Sequence, residues 1–85
     1  MDPAERAIEI EQIHAIDNWP NWPLLPMKKW EDGKLEVGLL LDGLLPVRPI
    51  IYKANLYAQP SEVLAAETIE FPSWEALLDA GWRVD

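Results

Sequence analysis

The chain has 85 residues, of which 49% are hydrophobic and none is Cys. A chain of this length buries only about 60 to 65% of its unfolded surface, so we expect one domain over residues 1–85. The lack of Cys excludes disulfides, thiol nucleophiles and thiolate metal ligands, and a net charge of −8 argues against direct binding to nucleic-acid phosphates.

The negative charge is concentrated at the two ends of the chain. Residues 1–17 contain five acids and one base, and residues 58–85 contain six acids and one base, whereas the segment between them has one more base than acid. This distribution favours a basic protein partner, although acidity also keeps a Trp-rich chain in solution.

The N-terminal segment has the signals of a helix. Asp2 precedes Pro3 as an N-cap precedes the first helical residue, and Glu5 lies where the helix dipole favours a negative charge. We therefore predict a helix over residues 3–16. The alternation of Ile8-Glu9-Ile10-Glu11 leaves a strand as an alternative.

We divide the chain into an acidic segment, residues 1–17, and an α+β core, residues 18–85. The acidic segment is a helix or a partly ordered arm. The N-terminus has no basic region followed by an apolar run, as a signal peptide would, and the apolar runs elsewhere are too short to span a membrane. We expect a cytoplasmic protein.

A three-residue repeat follows the predicted helix. Pro occurs at positions 20, 23 and 26, each time after an apolar residue: Trp19, Trp22 and Leu25. Three residues is the period of polyproline II, so we predict an extended rod with two Trp along one edge. Because a buried Trp contributes strongly to the stability of a small domain, we expect at least one Trp to dock on the core. The other would be a binding anchor.

Strands are predicted in the middle of the chain. The first covers residues 27–30, a Gly-containing turn covers 31–34, and the second covers 35–41. A loop to residue 48 then leads to a strand over residues 50–57. In the second strand, alternation predicts that one set of apolar residues faces the core: Leu35, Val37, Leu39 and Leu41.

The C-terminal third is predicted to contain two short helices and two short strands. A helix over residues 59–66 would have Ser61 as its N-cap, and a strand would follow over 68–71. Ser73 would cap a helix over residues 74–80 that ends before Gly81. Residues 82–85 alternate and would form an edge strand.

Together these elements predict an α+β fold. We expect a small antiparallel sheet of three to four strands, with an N-terminal and a C-terminal helix packed on one face. The predicted core consists of Leu35, Val37, Leu39, Ile50, Tyr52, Leu56, Trp74, Leu77 and Leu78.

The sequence has no catalytic constellation. His14 is the only His, and the Ser residues that might pair with it, Ser61 and Ser73, lie at predicted helix caps. Carboxylate pairs at helical spacing, such as Glu5 and Glu9, lack the neighbouring aromatic and polar residues that would build a cleft. No segment has the spaced oxygen ligands of a calcium loop. We predict a non-enzymatic protein without catalytic residues, cofactors or metal sites.

Two apolar segments are candidates for binding a protein partner. The first is the Trp-Pro segment, whose Pro-x-x-Pro spacing also matches ligands of proline-binding grooves. The second is the loop after the second strand, which is apolar and stiffened by Pro. The predicted partner-binding residues are Trp19, Trp22, Leu44, Leu45 and Val47, and the partner is another protein or a second copy of the chain.

Two segments carry a resemblance to known proteins. Trp22-Pro23-Leu24-Leu25-Pro26-Met27-Lys28-Lys29 and the ending Ser73-Trp74-Glu75-Ala76-Leu77-Leu78-Asp79-Ala80-Gly81-Trp82-Arg83-Val84-Asp85 resemble small accessory proteins carried by phages of actinobacteria. The resemblance implies a protein made inside a bacterium, of a kind that often binds a host protein and modulates it. It carries over no site residue.

Three functions follow from these features. The first is binding of a protein partner through Trp and Leu anchors, with acidic ends that attract a basic partner. The second is mimicry of nucleic acid, in which ordered carboxylates block a DNA- or RNA-binding host enzyme. The third is a structural or assembly component. Mimicry requires acids along one continuous face, whereas anchor-based recognition requires exposed apolar side chains.

Overall fold

The computed structural model describes residues 2–43 and 46–85. This part of the chain contains three α-helices, one short 3-10 helix and five strands. In chain order they are α1 (Pro3–His14), the 3-10 helix (Ile16–Asn18), β1 (Leu24–Glu31), β2 (Lys34–Leu41), β3 (Ile50–Tyr52), α2 (Pro60–Ala65), β4 (Thr68–Glu70), α3 (Trp74–Asp79) and β5 (Arg83–Val84).

The strands form one antiparallel sheet in the order β4-β3-β2-β1-β5. The predicted α+β class with an antiparallel sheet is confirmed, but the sheet has five strands rather than three or four. The helix predicted over residues 59–66 is present as α2, but the helix arrangement differs from the prediction, because the buried Val63 of α2 lies outside the main core. No helix within residues 2–43 and 46–85 is long and apolar enough to cross a membrane.

Helix α1 begins as predicted. The backbone N–H of Glu5 donates to the Asp2 carboxylate over 2.8 Å, which confirms the N-cap. The helix ends two residues earlier than predicted, at His14. Ile13 is fully buried, and the Glu9 carboxylate accepts a hydrogen bond from the backbone N–H of Val84 over 3.0 Å. These contacts attach α1 to β5 and to the core.

The Trp-Pro segment does not form the predicted polyproline II rod. The backbone N–H of Trp22 donates to the carbonyl of Trp19 over 3.4 Å, and that of Leu24 donates to Asn21 over 2.9 Å. Polyproline II has no such internal hydrogen bonds, so the prediction of a rod is wrong. The segment is a pair of tight turns, with a cis peptide bond before Pro23, that leads directly into β1.

Strand β1 starts three residues earlier than predicted and contains Pro26. A Pro inside a sheet is tolerated where its missing N–H leaves no ladder hydrogen bond unmade. Pro26 makes its backbone hydrogen bond towards β5 with its carbonyl, which accepts from the N–H of Asp85 over 3.0 Å. This bond does not need the N–H that Pro lacks. The strand therefore continues through Pro26 to pair with β2 from Leu24 to Glu31.

The turn between β1 and β2 is the one that the sequence predicts. Asp32 and Gly33 both have positive φ, 52° and 75°. A two-residue turn with positive φ at both positions suits the right-handed twist of the strands it connects. Asp-Gly is a preferred pair in such turns.

The face of β2 that meets the core was predicted incorrectly. Gly38 and Leu40 lie on the face covered by α1 and α3, together with Leu25 and Met27 of β1. Leu35 and Val37 lie on the opposite, outer face, where they are 49% and 42% exposed. Both faces of β2 are apolar near its end, so alternation alone does not identify the covered one.

The remaining core predictions hold in part. Leu39, Leu77 and Leu78 are buried. The others are only partly buried: Ile50, Tyr52, Leu56 and Trp74. The main core cluster consists of Ile13, Trp19, Leu25, Met27, Leu40, Val47, Ile51, Leu77, Leu78 and Trp82.

Gly38 allows the core to close over β2. A Cβ at this position would lie 2.5 Å from Cγ2 of Ile51 and 3.3 Å from the ring of Trp82. Trp82 is almost fully buried. The absence of a side chain at position 38 therefore lets the indole and the β3 side chain reach the backbone of β2, which fixes this face as the inner one.

In the C-terminal part, one predicted cap is confirmed and one is wrong. The Ser73 hydroxyl accepts from the N–H of Ala76 over 3.1 Å at the start of α3. Helix α2 is capped instead by Gln59, which forms a reciprocal capping box with Glu62, so Ser61 lies inside the helix.

Strand β3 ends at Tyr52 rather than at residue 57. The backbone N–H of Ala54 donates back to the carbonyl of Tyr52 over 2.8 Å, and the Asn55 side chain accepts from the N–H of Tyr57 over 2.9 Å. Both hydrogen bonds turn the chain away from the sheet.

Candidate partner-binding surface

Two of the five predicted partner-binding residues belong to the core. Trp19 is 6% exposed and Val47 is 8% exposed, and both are members of the main cluster. Both side chains therefore belong to the core and not to a binding surface. Leu44 and Leu45 lie outside the described residues.

Trp19 is buried because its ring closes the end of α1. Its indole Nε1–H lies 3.1 Å from the carbonyl oxygen of Ile13 and 3.3 Å from that of Gln12, and donates to both. These carbonyls are among the last of the helix, which have no partner within it. The side chain thus buries its apolar surface and satisfies two helix-terminal acceptors.

Trp22 is the predicted site residue that the structure places at the surface. Its side chain is 58% exposed, and its Nε1–H donates to Oδ2 of Asp42 over 2.9 Å. The backbone N–H of Asp42 in turn donates to the carbonyl of Pro23 over 2.9 Å. These two bonds fix the ring against the start of β1 and the end of β2, with its polar atom satisfied and its faces free for contact.

A small apolar pocket lies next to Trp22 on the outer face of the sheet. Its volume is about 200 Å³, and Leu64 on its wall is largely exposed. The lining residues are all apolar and come from the start of β1, the end of β2 and the segment that contains α2: Pro23, Leu24, Leu41, Ala58, Pro60, Val63 and Leu64.

Helix α2 builds the wall of this pocket. Pro60 occupies its first turn, and the backbone N–H of Gln59 donates to the Glu62 carboxylate over 3.3 Å. Leu39 and Val63 are the two buried apolar residues that do not belong to the main core. Over the described residues, α2 therefore covers one end of the outer sheet face and leaves the pocket between itself and Leu24.

The sequence did not reveal this pocket. Ala58, Pro60 and Leu64 have no visible relation to Trp22 until the chain folds, because the pocket joins segments far apart in sequence. The one available signal was the apolar set Leu39 and Leu41 in β2, which was assigned to the wrong face.

His14 has a structural environment. It is exposed at the end of α1, its Nδ1 donates to the carbonyl of Ile10 over 2.9 Å, and its ring meets that of Trp74 edge to face at 5.4 Å. Within residues 2–43 and 46–85, no group of three or more His, Asp or Glu side chains is arranged to hold a metal ion.

The remaining concavities are open and have mixed linings. One of them measures about 390 Å³, and its lining includes Gln12, Asn18, Trp19 and Asn21. It lacks the concentration of apolar surface found beside Trp22.

No family model matches this chain, and no curated protein or solved structure is significantly similar to it.

Proposed function

We propose that this chain is a non-enzymatic protein-binding protein, which holds one apolar side chain of a basic partner segment in the pocket beside Trp22. The observation that carries the proposal is the exposed Trp22 ring, held by Asp42 next to a pocket with an entirely apolar lining. Aromatic anchors beside well-packed apolar pockets dominate the energetics of many protein interfaces.

The size of the pocket favours a side chain as its occupant. Its volume of about 200 Å³ is below the roughly 300 to 1,000 Å³ typical of sites that enclose a small-molecule ligand. One Leu, Met or Phe side chain would fill such a space, and the neighbouring Trp22 ring would extend the contact along the partner backbone.

The charge of the chain favours a basic partner segment. The net charge of −8 attracts a positively charged partner over distances comparable to the Debye length. At the pocket, the Asp42 carboxylate has a second oxygen besides the one bonded to Trp22, and the Trp22 ring offers a face to a Lys or Arg. A segment with one large apolar residue flanked by basic residues matches both features.

The resemblance to phage accessory proteins supports a host protein as the partner. Such a protein would modulate its target by occupying a surface rather than by chemistry. A host protein as partner implies action in the cytoplasm of the bacterial host cell.

Nucleic-acid mimicry is a second candidate, favoured by the exposed acids Glu5 and Glu11 of α1 and Asp17 of the 3-10 helix. Two further acids are engaged within the molecule. The Glu9 carboxylate accepts from the backbone of Val84, and Asp79 pairs with Arg6. These contacts reduce the number of acids free to imitate a phosphate row, so we rank mimicry below binding through the Trp22 pocket.

A selection from a random peptide display library on the immobilised protein tests the proposal. We expect enriched sequences with one large apolar residue flanked by Lys or Arg, and we expect Leu64→Ser and Trp22→Ala to lose binding of the enriched peptides. Ile8→Ser is the matched control, because Ile8 is an exposed apolar residue on α1 and does not line the pocket. Enrichment of peptides whose binding is unaffected by the Leu64 and Trp22 substitutions would overturn the proposal.

A further inference from the structure

The outer face of the sheet is bare at the end away from α2. Trp30 is 66% exposed, Leu35 is 49% exposed and Val37 is 42% exposed, all on the face opposite the main core. These residues lie beyond the pocket beside Trp22, towards the turn between β1 and β2, and the proposed function does not use them.

The three side chains form a continuous patch. Trp30 lies directly opposite Leu35 in the ladder between β1 and β2, and Val37 follows two residues later on the same face. Residues opposite each other have Cβ atoms about 4.5 to 5.5 Å apart, so Trp30 and Leu35 are direct neighbours on this face. We call Trp30, Leu35 and Val37 the hairpin patch.

Two charged residues border the patch in the sheet. Arg83 of β5 lies opposite Lys28, and its guanidinium donates to the carbonyls of Leu78 and Trp82. Lys28 lies opposite Val37, and its Nζ is 3.5 Å from Oδ1 of Asp85. Its charge is therefore balanced within the same chain. A partner that covers the patch can leave this pair at the rim and need not supply an acid of its own.

The local charge of this surface differs from that of the two acidic ends of the chain. Residues 28–37 contain three Lys and three acids, so the segment is neutral and the remaining residues carry the whole net charge of −8. A basic protein attracted by the negative charge of the chain would approach its acidic parts and not this neutral segment. Two copies of a chain with charge −8 repel each other, and they meet with least repulsion where both surfaces are neutral.

We propose that the hairpin patch is a self-association surface and that its occupant is the hairpin patch of a second copy of this chain. A two-fold axis would bring the two outer faces together, so that Trp30 of each copy lies against the apolar side chains of the other. Antiparallel sheets pack in this way about 10 Å apart. Because three side chains form a contact smaller than the roughly 1,200 Å² of stable interfaces, we expect a weak dimer that depends on concentration.

Sedimentation of the purified protein at increasing concentration and salt tests this proposal. We expect the mass to rise from 9.7 kDa towards twice that value at high concentration. We also expect self-association to strengthen as salt is raised, because salt screens the repulsion between the two negative chains while the apolar contact is retained.

Trp30→Ser and Leu35→Ser should each keep the chain monomeric, and Trp22→Ala should dimerise like the parent. Trp30 and Leu35 are substantially exposed, so both hairpin variants should fold. Circular dichroism checks that they do. A monomeric mass of the parent at every concentration and salt would overturn the proposal, as would dimerisation that is unchanged in both hairpin variants. Peptide binding by the Trp22 pocket is measured separately on the Leu35→Ser variant, so failure of one proposal leaves the other standing.

Discussion

The indole Nε1–H of Trp22 donates to Oδ2 of Asp42 over 2.9 Å even though most of the Trp22 side chain is exposed. Water could satisfy an exposed indole N–H, so the main effect of this bond is to hold the ring in one orientation. The cost of ordering a side chain on binding is reduced when the side chain is ordered beforehand. The Trp22–Asp42 pair therefore prepares an aromatic surface for a partner.

Two substitutions at Asp42 separate orientation from charge. Asp42→Ala removes the acceptor, and we expect peptide affinity to fall about fivefold, which corresponds to roughly 1 kcal/mol for a lost hydrogen bond. Asp42→Asn keeps an acceptor and removes the charge, so it should retain more affinity for an uncharged apolar peptide than Asp42→Ala does. Titration calorimetry with matched peptides measures both, and equal losses in the two variants would argue against the orienting role.

Gly38 should be intolerant of any side chain. In Gly38→Ala the new Cβ would lie 2.5 Å from the Ile51 side chain, and we expect the free energy of unfolding to fall by about 1 to 3 kcal/mol. At Gly43 a Cβ would meet no described atom within 4 Å, so Gly43→Ala is the matched control and should change stability little. Urea denaturation measures both, and a Gly38→Ala variant as stable as the parent would show that Ile51 does not pack so closely on β2.

Truncation of the β2 side chains tests which face is covered. Leu40→Ala removes a fully buried side chain of the inner face, and Leu39→Ala removes a buried side chain of the outer face, at the end that α2 covers. Each should cost about 2 to 5 kcal/mol of unfolding free energy. Leu35→Ala removes a half-exposed side chain and should cost less than about 1 kcal/mol. If Leu35→Ala were more damaging than Leu40→Ala in chemical denaturation, the outer face would carry the main core.

The two Ser residues near the C-terminal helices should differ in importance. Ser73→Ala removes a hydroxyl that accepts from the backbone of Ala76, and we expect a loss of about 1 kcal/mol. Ser61→Ala should be nearly neutral, because Gln59 and Glu62 cap α2. Thermal unfolding of the two variants side by side measures the difference, and a larger effect at Ser61 would contradict the observed capping box.

Neutralising exposed acids distinguishes recognition through the Trp22 pocket from mimicry of nucleic acid. Glu11 and Asp17 are exposed, so Glu11→Gln with Asp17→Asn should leave the fold intact. For pocket recognition we expect slower association with a basic peptide and only a modest loss of affinity. A loss larger than that of Trp22→Ala, with steep salt dependence, would favour mimicry.

The sequence alone determined the features that depend on hydrogen bonds within a few residues. The cap at Asp2, the cap at Ser73 and the turn at Asp32-Gly33 are all present where local residue preferences predict them. Each is stabilised by neighbours three residues away or fewer, so the information needed to predict it lies within a short window of sequence.

The tertiary structure decided which apolar surfaces are covered. Both faces of β2 carry apolar residues, and the inner one is identified only by Trp82 and Ile51, which reach Gly38 from other elements. In the same way, Trp19 and Trp22 occupy equivalent places in the sequence repeat, yet Trp19 closes the end of α1 and Trp22 remains at the surface. Burial depends on which segments meet after folding, and alternation or repeat period within one segment carries no information about its distant neighbours.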